Sequence, residues 1–421
     1  MMSEKLRVGE AVHVVGRRES GSKGLLHLGW YHALDGSVGA KVFCDALRPH
    51  VVLICGKRGY GKSYTIGVLV EELARLEPEV RRHLGVVVAD TLGIFWTLAY
   101  DADGVRGRKG DMAGGIPVRL LVPFGFMDRA ESLGVEVVPY AVRVSDLSAS
   151  AWCRLFRVSP LDPVEIVVTH AIETLRQDSK MFSLEDVQGW LRREEGVDPL
   201  LRMAAGNLFT IAQSWGVFSA EGLPLDQVVS AGVVSVLDLS VLPSVELKDV
   251  VVGLLSDQVF EARVAARRSY ERQRLGLGVE SGGMPMVWLA VDEAQVFVPA
   301  SGGSLCREVL VGKWMRQGRQ PGLSLILASQ RPSAVDEEVF AHCDLLICHR
   351  VTALEDIEAL GRVRPQYLSG DIGGLIRRLG MEKGVALVVD DTSESVHVIR
   401  VRPRLTWHAG EEPVALSPGT R

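Results

Sequence analysis

Asparagine is almost absent from this chain: Asn207 is the single one in 421 residues. Arginine greatly outnumbers lysine. Scarce heat-labile amides fit a thermophile, and a GC-rich genome gives the same arginine bias. No apolar run approaches the ~20 residues that span a bilayer. The N-terminus, MMSEKLRVGE, lacks the apolar stretch of a signal peptide. Both absences are those expected of a cytoplasmic protein. The six cysteines, Cys44, Cys55, Cys153, Cys306, Cys343 and Cys348, include no Cys-x-x-Cys pair and no Cys/His set with zinc spacing. They read as reduced thiols, mostly buried. A formal charge of −5 excludes a polycation, so any nucleic-acid contact must come from local basic patches.

Against these absences stands the run Val51 to Ser63, VVLICGKRGYGKS. It fits the phosphate-binding pattern G-x-x-x-x-G-K-[ST], with Gly56, Gly61, Lys62 and Ser63 in the fixed places. Val51 to Cys55 reads as a buried parallel strand. Gly56, Gly59 and Gly61 allow a tight turn and close approach of backbone to phosphate. Helical spacing of Ile66, Leu69, Val70 and Leu73 follows. The N–H groups of the loop and of that helix then point at an anion. The expected nucleotide-binding set is Gly56, Lys57, Arg58, Gly59, Tyr60, Gly61, Lys62, Ser63 and Tyr64. Lys62 suits the β- and γ-phosphates of ATP, and the Ser63 hydroxyl suits Mg²⁺.

The chain is long enough for two or three domains. Residues 1–46 read as a small β-rich module. A first part of an ATPase core covers 47–149, with a strand from Gly85 to Ala89 ending at Asp90. Residues 150–228 change to helical spacing with few glycines and read as a helical insertion. The second part of the core covers 229–405, with strands at Val233–Leu239, Met286–Val291, Leu323–Ala328 and Leu345–His349. A tail, 406–421, closes the chain. Alternating strands and helices predict an α/β fold with a mainly parallel sheet.

Hydrolysis needs a metal carboxylate and a group that orients water. The segment MVWLAVDE, Met286 to Glu293, is an apolar strand ending in two acids. Asp292 is the candidate metal ligand, and Glu293 the candidate general base. The strand LSLILASQRP delivers Gln330 to the crevice where the carboxyl ends of parallel strands gather. Arg316 and Arg319 precede that strand and Arg350 follows the next. Each is either a charge-stabilising residue at the γ-phosphate or a solvated surface charge.

The segments GKRGYGKS, WLAVDEAQVF, RQGRQPGLSLILASQRPS and ICHRVTALEDIEAL, in that order, resemble the HerA/FtsK superfamily, and its HerA branch most closely. VLDLS at Val236–Ser240 and ADTLG at Ala89–Gly93 add to the likeness, which spans roughly residues 47–405. The resemblance implies a RecA-like P-loop core and a hexameric, ring-shaped ATPase that translocates double-stranded DNA. HerA-type motors often work with a NurA-type nuclease in end resection. It further implies Lys62 and Ser63 as nucleotide and magnesium residues, Asp292 and Glu293 as metal and catalytic acids, and Gln330 as sensor. Arg319 matches the family arginine ahead of the sensor strand, and Arg350 a further one. Where the family often has an arginine before the phosphate-loop strand, this chain has His50, with Arg48 two residues earlier. Only about 46 residues stand where HerA proteins carry a sizeable β-barrel.

Two basic segments remain. Arg263, Arg267, Arg268, Arg272 and Arg274 lie on an expected helix and read as a solvated face or as a phosphate-facing patch. Arg400, Arg402 and Arg404 alternate as in a strand with one charged face, either an exposed edge or a contact with a neighbouring subunit. Besides a DNA translocase, the sequence allows a DNA-transfer motor working with a membrane-protein partner, or a nucleotide-gated scaffold.

Overall fold

A computed structural model of the protein describes residues 13–19, 21–33, 35–102, 115–277, 283–361 and 372–410. Its strands, in chain order, are β1 His13–Val15, β2 Leu25–His32, β3 Val38–Asp45, β4 Val51–Cys55, β5 Leu84–Asp90, β6 Val118–Pro123, β7 Glu136–Tyr140, β8 Val142–Arg143, β9 Phe218–Ser219, β10 Val234–Asp238, β11 Met286–Val291, β12 Leu323–Ser329, β13 Leu345–Cys348, β14 Val385–Asp390 and β15 Ser395–Val401. Among the described residues thirteen of them form one sheet, ordered β1-β3-β2-β15-β14-β13-β4-β12-β11-β5-β10-β6-β7. From β13 to β7 every pairing is parallel. The run β13-β14-β15-β2-β3 is antiparallel.

The central strands are nearly continuous apolar runs because both faces are covered. In β4, Leu53 and Cys55 face one core, while Val52 and Ile54 face the other. The helix Lys62–Arg75 packs its Ile66, Leu69, Val70 and Leu73 into the second core, as the 3.6-residue spacing requires. The long helix Val245–Arg274 and the segment 150–228 cover the first. That segment holds helices Ala149–Leu155, Pro163–Asp178, Leu184–Arg193 and Pro199–Ser214. Ser148, Asp162, Ser183 and Asp198 cap their N-termini, satisfying orphan amides at each start. Trp152 packs among Phe156, Phe209 and Phe218 at its centre. β8 and β9 pair where the segment leaves and rejoins the core.

The N-terminal β-rich residues are an extension of the main sheet, joined through β2 and β15. That join corrects the reading of the C-terminal arginines. β15 is an interior strand, paired on both sides, and Arg402 and Arg404 beyond it are buried. Their guanidiniums pair with Glu71 on the helix Lys62–Arg75, because a buried charge needs a partner. Arg263 is likewise no phosphate ligand. It is buried and donates to the carbonyls of Pro321 and Met284, tying the long helix to the turn before β12. Residues 411–421 of the expected tail lie outside the described residues. Among the described residues no helix is long and apolar enough to cross a membrane.

Candidate nucleotide site

β4, β12, β11 and β13 are neighbours and parallel, so their carboxyl ends form one crevice. The phosphate loop leaves β4 there. Gly56, Gly59 and Gly61 have φ of 158°, 80° and 121°; at 80° and 121° an L side chain would be strained. Lys62 opens the helix that follows and is itself buried. Burial pushes its ammonium below the usual lysine range, and the carboxylates of Asp292 and Glu293 oppose that. A phosphate oxyanion is the natural further partner for such a group.

Ser63 Oγ donates to Asp292 Oδ2 at 2.6 Å. Asp292 is 1% exposed. Burial raises its carboxyl above the ordinary range, while the Ser63 hydroxyl holds it down. A hydroxyl and a carboxylate in contact are two hard oxygen donors, the set that suits Mg²⁺ bound jointly with a phosphate. These residues fit the metal expected from the sequence.

Glu293 sits in the left-handed region, φ 56° and ψ 49°, an uncommon conformation for a non-glycine residue that often marks a working site. Its carboxylate is held at both oxygens. Gln330 Nε2 donates to Oε1 at 2.6 Å and Gln295 Nε2 to Oε2 at 2.5 Å. Ser329 Oγ in turn donates to Gln295 Oε1 at 2.7 Å. The ends of β11 and β12 are thus joined through side chains around one acid. Gln295 was not singled out from sequence; its only signal is its place two residues after Glu293 in WLAVDEAQVF.

Arg350 also reaches this edge. Its carbonyl accepts the Lys57 N–H at 2.8 Å, and its guanidinium lies 5.9 Å from the Tyr60 ring centroid. Lys57, Arg58 and Gly59 are exposed at the loop's crown. Two expected residues stand apart. The Tyr64 hydroxyl accepts the Arg404 N–H at 2.6 Å, so its ring serves the C-terminal segment. Arg319 is exposed in the turn before β12, at the amino end of that strand. The seven residues of β12, at ~3.3 Å each, put it roughly 20 Å from Gln330. Arg316 pairs with Glu338 at 2.6 Å. His50, in the place of a family arginine, is buried between Asp45 and Asp344.

No family model matches the chain. It is similar to the DNA double-strand break repair helicase HerA of Pyrococcus furiosus, with 29% identity over 311 residues, covering 63% of this chain and 55% of that protein. The chain therefore spans about half the length of this curated relative. In fold it is similar to VirB4 of Thermoanaerobacter pseudethanolicus, at TM-score 0.59 and 15% identity, over 92% of this chain and 98% of that one. It is also similar to the bacterial conjugative coupling protein TrwB in complex with sulphate, at TM-score 0.50 and 12% identity, over 86% and 88%. Its phosphate loop and its large, mainly parallel sheet give the chain the RecA-like α/β fold that it shares with these solved structures.

Proposed function

We propose that the chain is an ATP-driven, ring-forming DNA translocase of the HerA-like branch, acting in the cytoplasm on double-stranded DNA during end processing or repair. The observation that carries the turnover in this reading is the pair of contacts Ser63–Asp292 and Gln330–Glu293 at one crevice, and the likeness to HerA supports DNA as what the turnover drives. A site that only binds a nucleotide needs the first pair; one built for turnover needs the second.

In this reading the phosphate loop and Lys62 hold the β- and γ-phosphates of ATP. Ser63 and Asp292 hold Mg²⁺, which when bound neutralises charge developing on the phosphates. Glu293 takes a proton from the attacking water. Gln330 senses the γ-phosphate, and Arg350 lies beside the loop to meet its charge. Arg319 serves a neighbouring copy, since its own site is at the other end of β12. A homo-hexamer supplies that neighbour. A NurA-type nuclease is the partner to which the HerA-like reading points.

The test is ATP turnover by the purified chain, at low salt, with and without linear double-stranded DNA. Strong stimulation by DNA is expected. Turnover indifferent to DNA would replace the translocase with a nucleotide-gated scaffold, or with a DNA-transfer motor that requires its membrane-protein partner.

A further inference from the structure

Beneath the phosphate loop lies a histidine that this functional reading does not use. β13 runs beside β4, and its continuation is zipped to the loop. His349 N–H donates to Cys55 O, and Lys57 N–H donates to Arg350 O, both at 2.8 Å. The His349 side chain is 0% exposed. Its Nδ1 lies 3.1 Å from Val385 O on β14, and its Nε2 lies 2.9 Å from Thr65 Oγ1 in the first turn after the loop. A carbonyl oxygen only accepts, so this network assigns the proton to Nδ1 and leaves Nε2 to accept from the Thr65 hydroxyl.

His349 sets the space at both ends of the phosphate-binding pattern, with its Cβ at Gly56 and its ring at Gly61. A Cβ on Gly56 would come within 2.7 Å of His349 Cβ, and one on Gly61 within 3.1 Å of its Cε1. Both glycines are therefore packed against one side chain as well as bent by their backbone angles. Burial, with the nearby Lys62 charge adding to it, keeps the imidazole neutral, its pKa pushed down to about 4. A neutral ring leaves Lys62 as the positive side chain beneath the bound phosphates.

We propose that His349 is a positioning residue for nucleotide binding: bridging Val385 and Thr65, it fixes Gly56, Gly61 and the first turn of the following helix so that the loop amides converge on the phosphates. This rests on the nucleotide reading of the site. It acts through the loop and touches no reacting atom.

The test measures equilibrium binding of ATP and ADP to the full chain, together with kcat and KM for ATP. His349→Leu keeps bulk and removes both hydrogen bonds. Expected are a loss of about tenfold or more in affinity for both nucleotides, the size of an unmatched buried hydrogen bond, and a rise in KM larger than the fall in kcat. His349→Gln, which retains an acceptor for Thr65, is expected to recover most of the affinity. Thr65→Val leaves the ring in place, guarding against simple misfolding, and is expected to weaken binding without adding to His349→Leu in the double variant. Wild-type affinity in Thr65→Val and His349→Leu would overturn the role of His349. So would a kcat loss at unchanged KM and affinity. Failure of the unaltered chain to bind ATP would instead overturn the nucleotide reading itself.

Discussion

The Gln330 amide donates to one oxygen of Glu293 at 2.6 Å, across the ends of two adjacent parallel strands. With Gln295 on the other oxygen, the acid is oriented by groups from β12 and from its own turn. Glu293→Gln is expected to bind ATP normally and to hydrolyse it ~10²–10⁴-fold more slowly, the usual range for a lost general base. Gln330→Ala removes a hydrogen bond to a charged group and should slow turnover by roughly ten- to a hundredfold, again with binding kept. Single-turnover hydrolysis measured beside nucleotide binding checks both. Normal turnover in Glu293→Gln would remove it as the base.

Arg319 is at the opposite end of β12 from Gln330, so a role in hydrolysis must be exercised on another copy. Arg319→Ala is then expected to lose ~10³-fold in turnover, as for other trans-acting arginines, while still assembling. Lys62→Ala, which lacks a working site but keeps Arg319, should be equally inactive alone. Mixing the two inactive chains should restore part of the activity, because some interfaces then combine an intact site with an intact arginine. The check is ATPase activity of the mixture against either chain alone. No recovery at any ratio, with mixed assembly demonstrated, would reject the trans role.

What could be read from the sequence was local. A glycine loop between a strand and a helix is written in thirteen consecutive residues from Val51 to Ser63, and apolar runs ending in Asp-Glu or Ser-Gln mark strand ends in a parallel sheet. Their convergence follows from one rule about carboxyl edges. What stayed hidden depends on partners far along the chain. Alternating Arg400, Arg402 and Arg404 look alike in sequence, yet Arg400 pairs at the surface with Glu382 while Arg402 and Arg404 are buried against Glu71. Arg263 sits in a basic run whose pattern cannot show that Pro321 and Met284 present carbonyls to it. His349 follows β13 within ICHRVTALEDIEAL, a segment that singles out Arg350 and not its neighbour; the role of His349 arises only when β13 lies beside β4.

The C-terminal segment clamps the phosphate-loop helix through one buried acid. Glu71 is 0% exposed and accepts from Leu405 N at 3.1 Å, Thr406 N at 3.0 Å and Arg404 Nε at 3.3 Å, with Arg402 at 2.9 Å. Gly67 leaves room for it, since a Cβ there would stand 2.6 Å from the Arg404 guanidinium carbon. Glu71→Leu would leave the buried Arg404 without an acid, while Arg402 keeps Glu72 at 2.7 Å, and is expected to cost about 3–5 kcal/mol. Chemical denaturation checks this. A loss below about 0.5 kcal/mol, typical of surface substitutions, would show the cluster to be dispensable.

His50 joins three parts of the sheet. Its Nδ1 lies 2.6 Å from Asp344 before β13, and its Nε2 lies 3.3 Å from Asp45 at the end of β3. Burial alone would lower its pKa, but the hydrogen bonds and charges of the two carboxylates outweigh that and raise it to about 9. An unfolded histidine titrates near 6.5. The folded state therefore binds the proton more tightly, and the resulting stability is fully present below about pH 6.5 and lost as pH rises through about 9. The difference of roughly 2.5 units corresponds to on the order of 3 kcal/mol. Urea unfolding of the intact chain from pH 6 to 10 should show this decline. His50→Gln cannot hold the proton, so its stability should be lower at pH 6.5 and nearly flat across the same range, apart from other groups that titrate in both proteins. Parallel pH profiles for the two proteins would mean that His50 is not charged in the folded state, and that Asp45 and Asp344 are held by Arg17 and backbone amides alone.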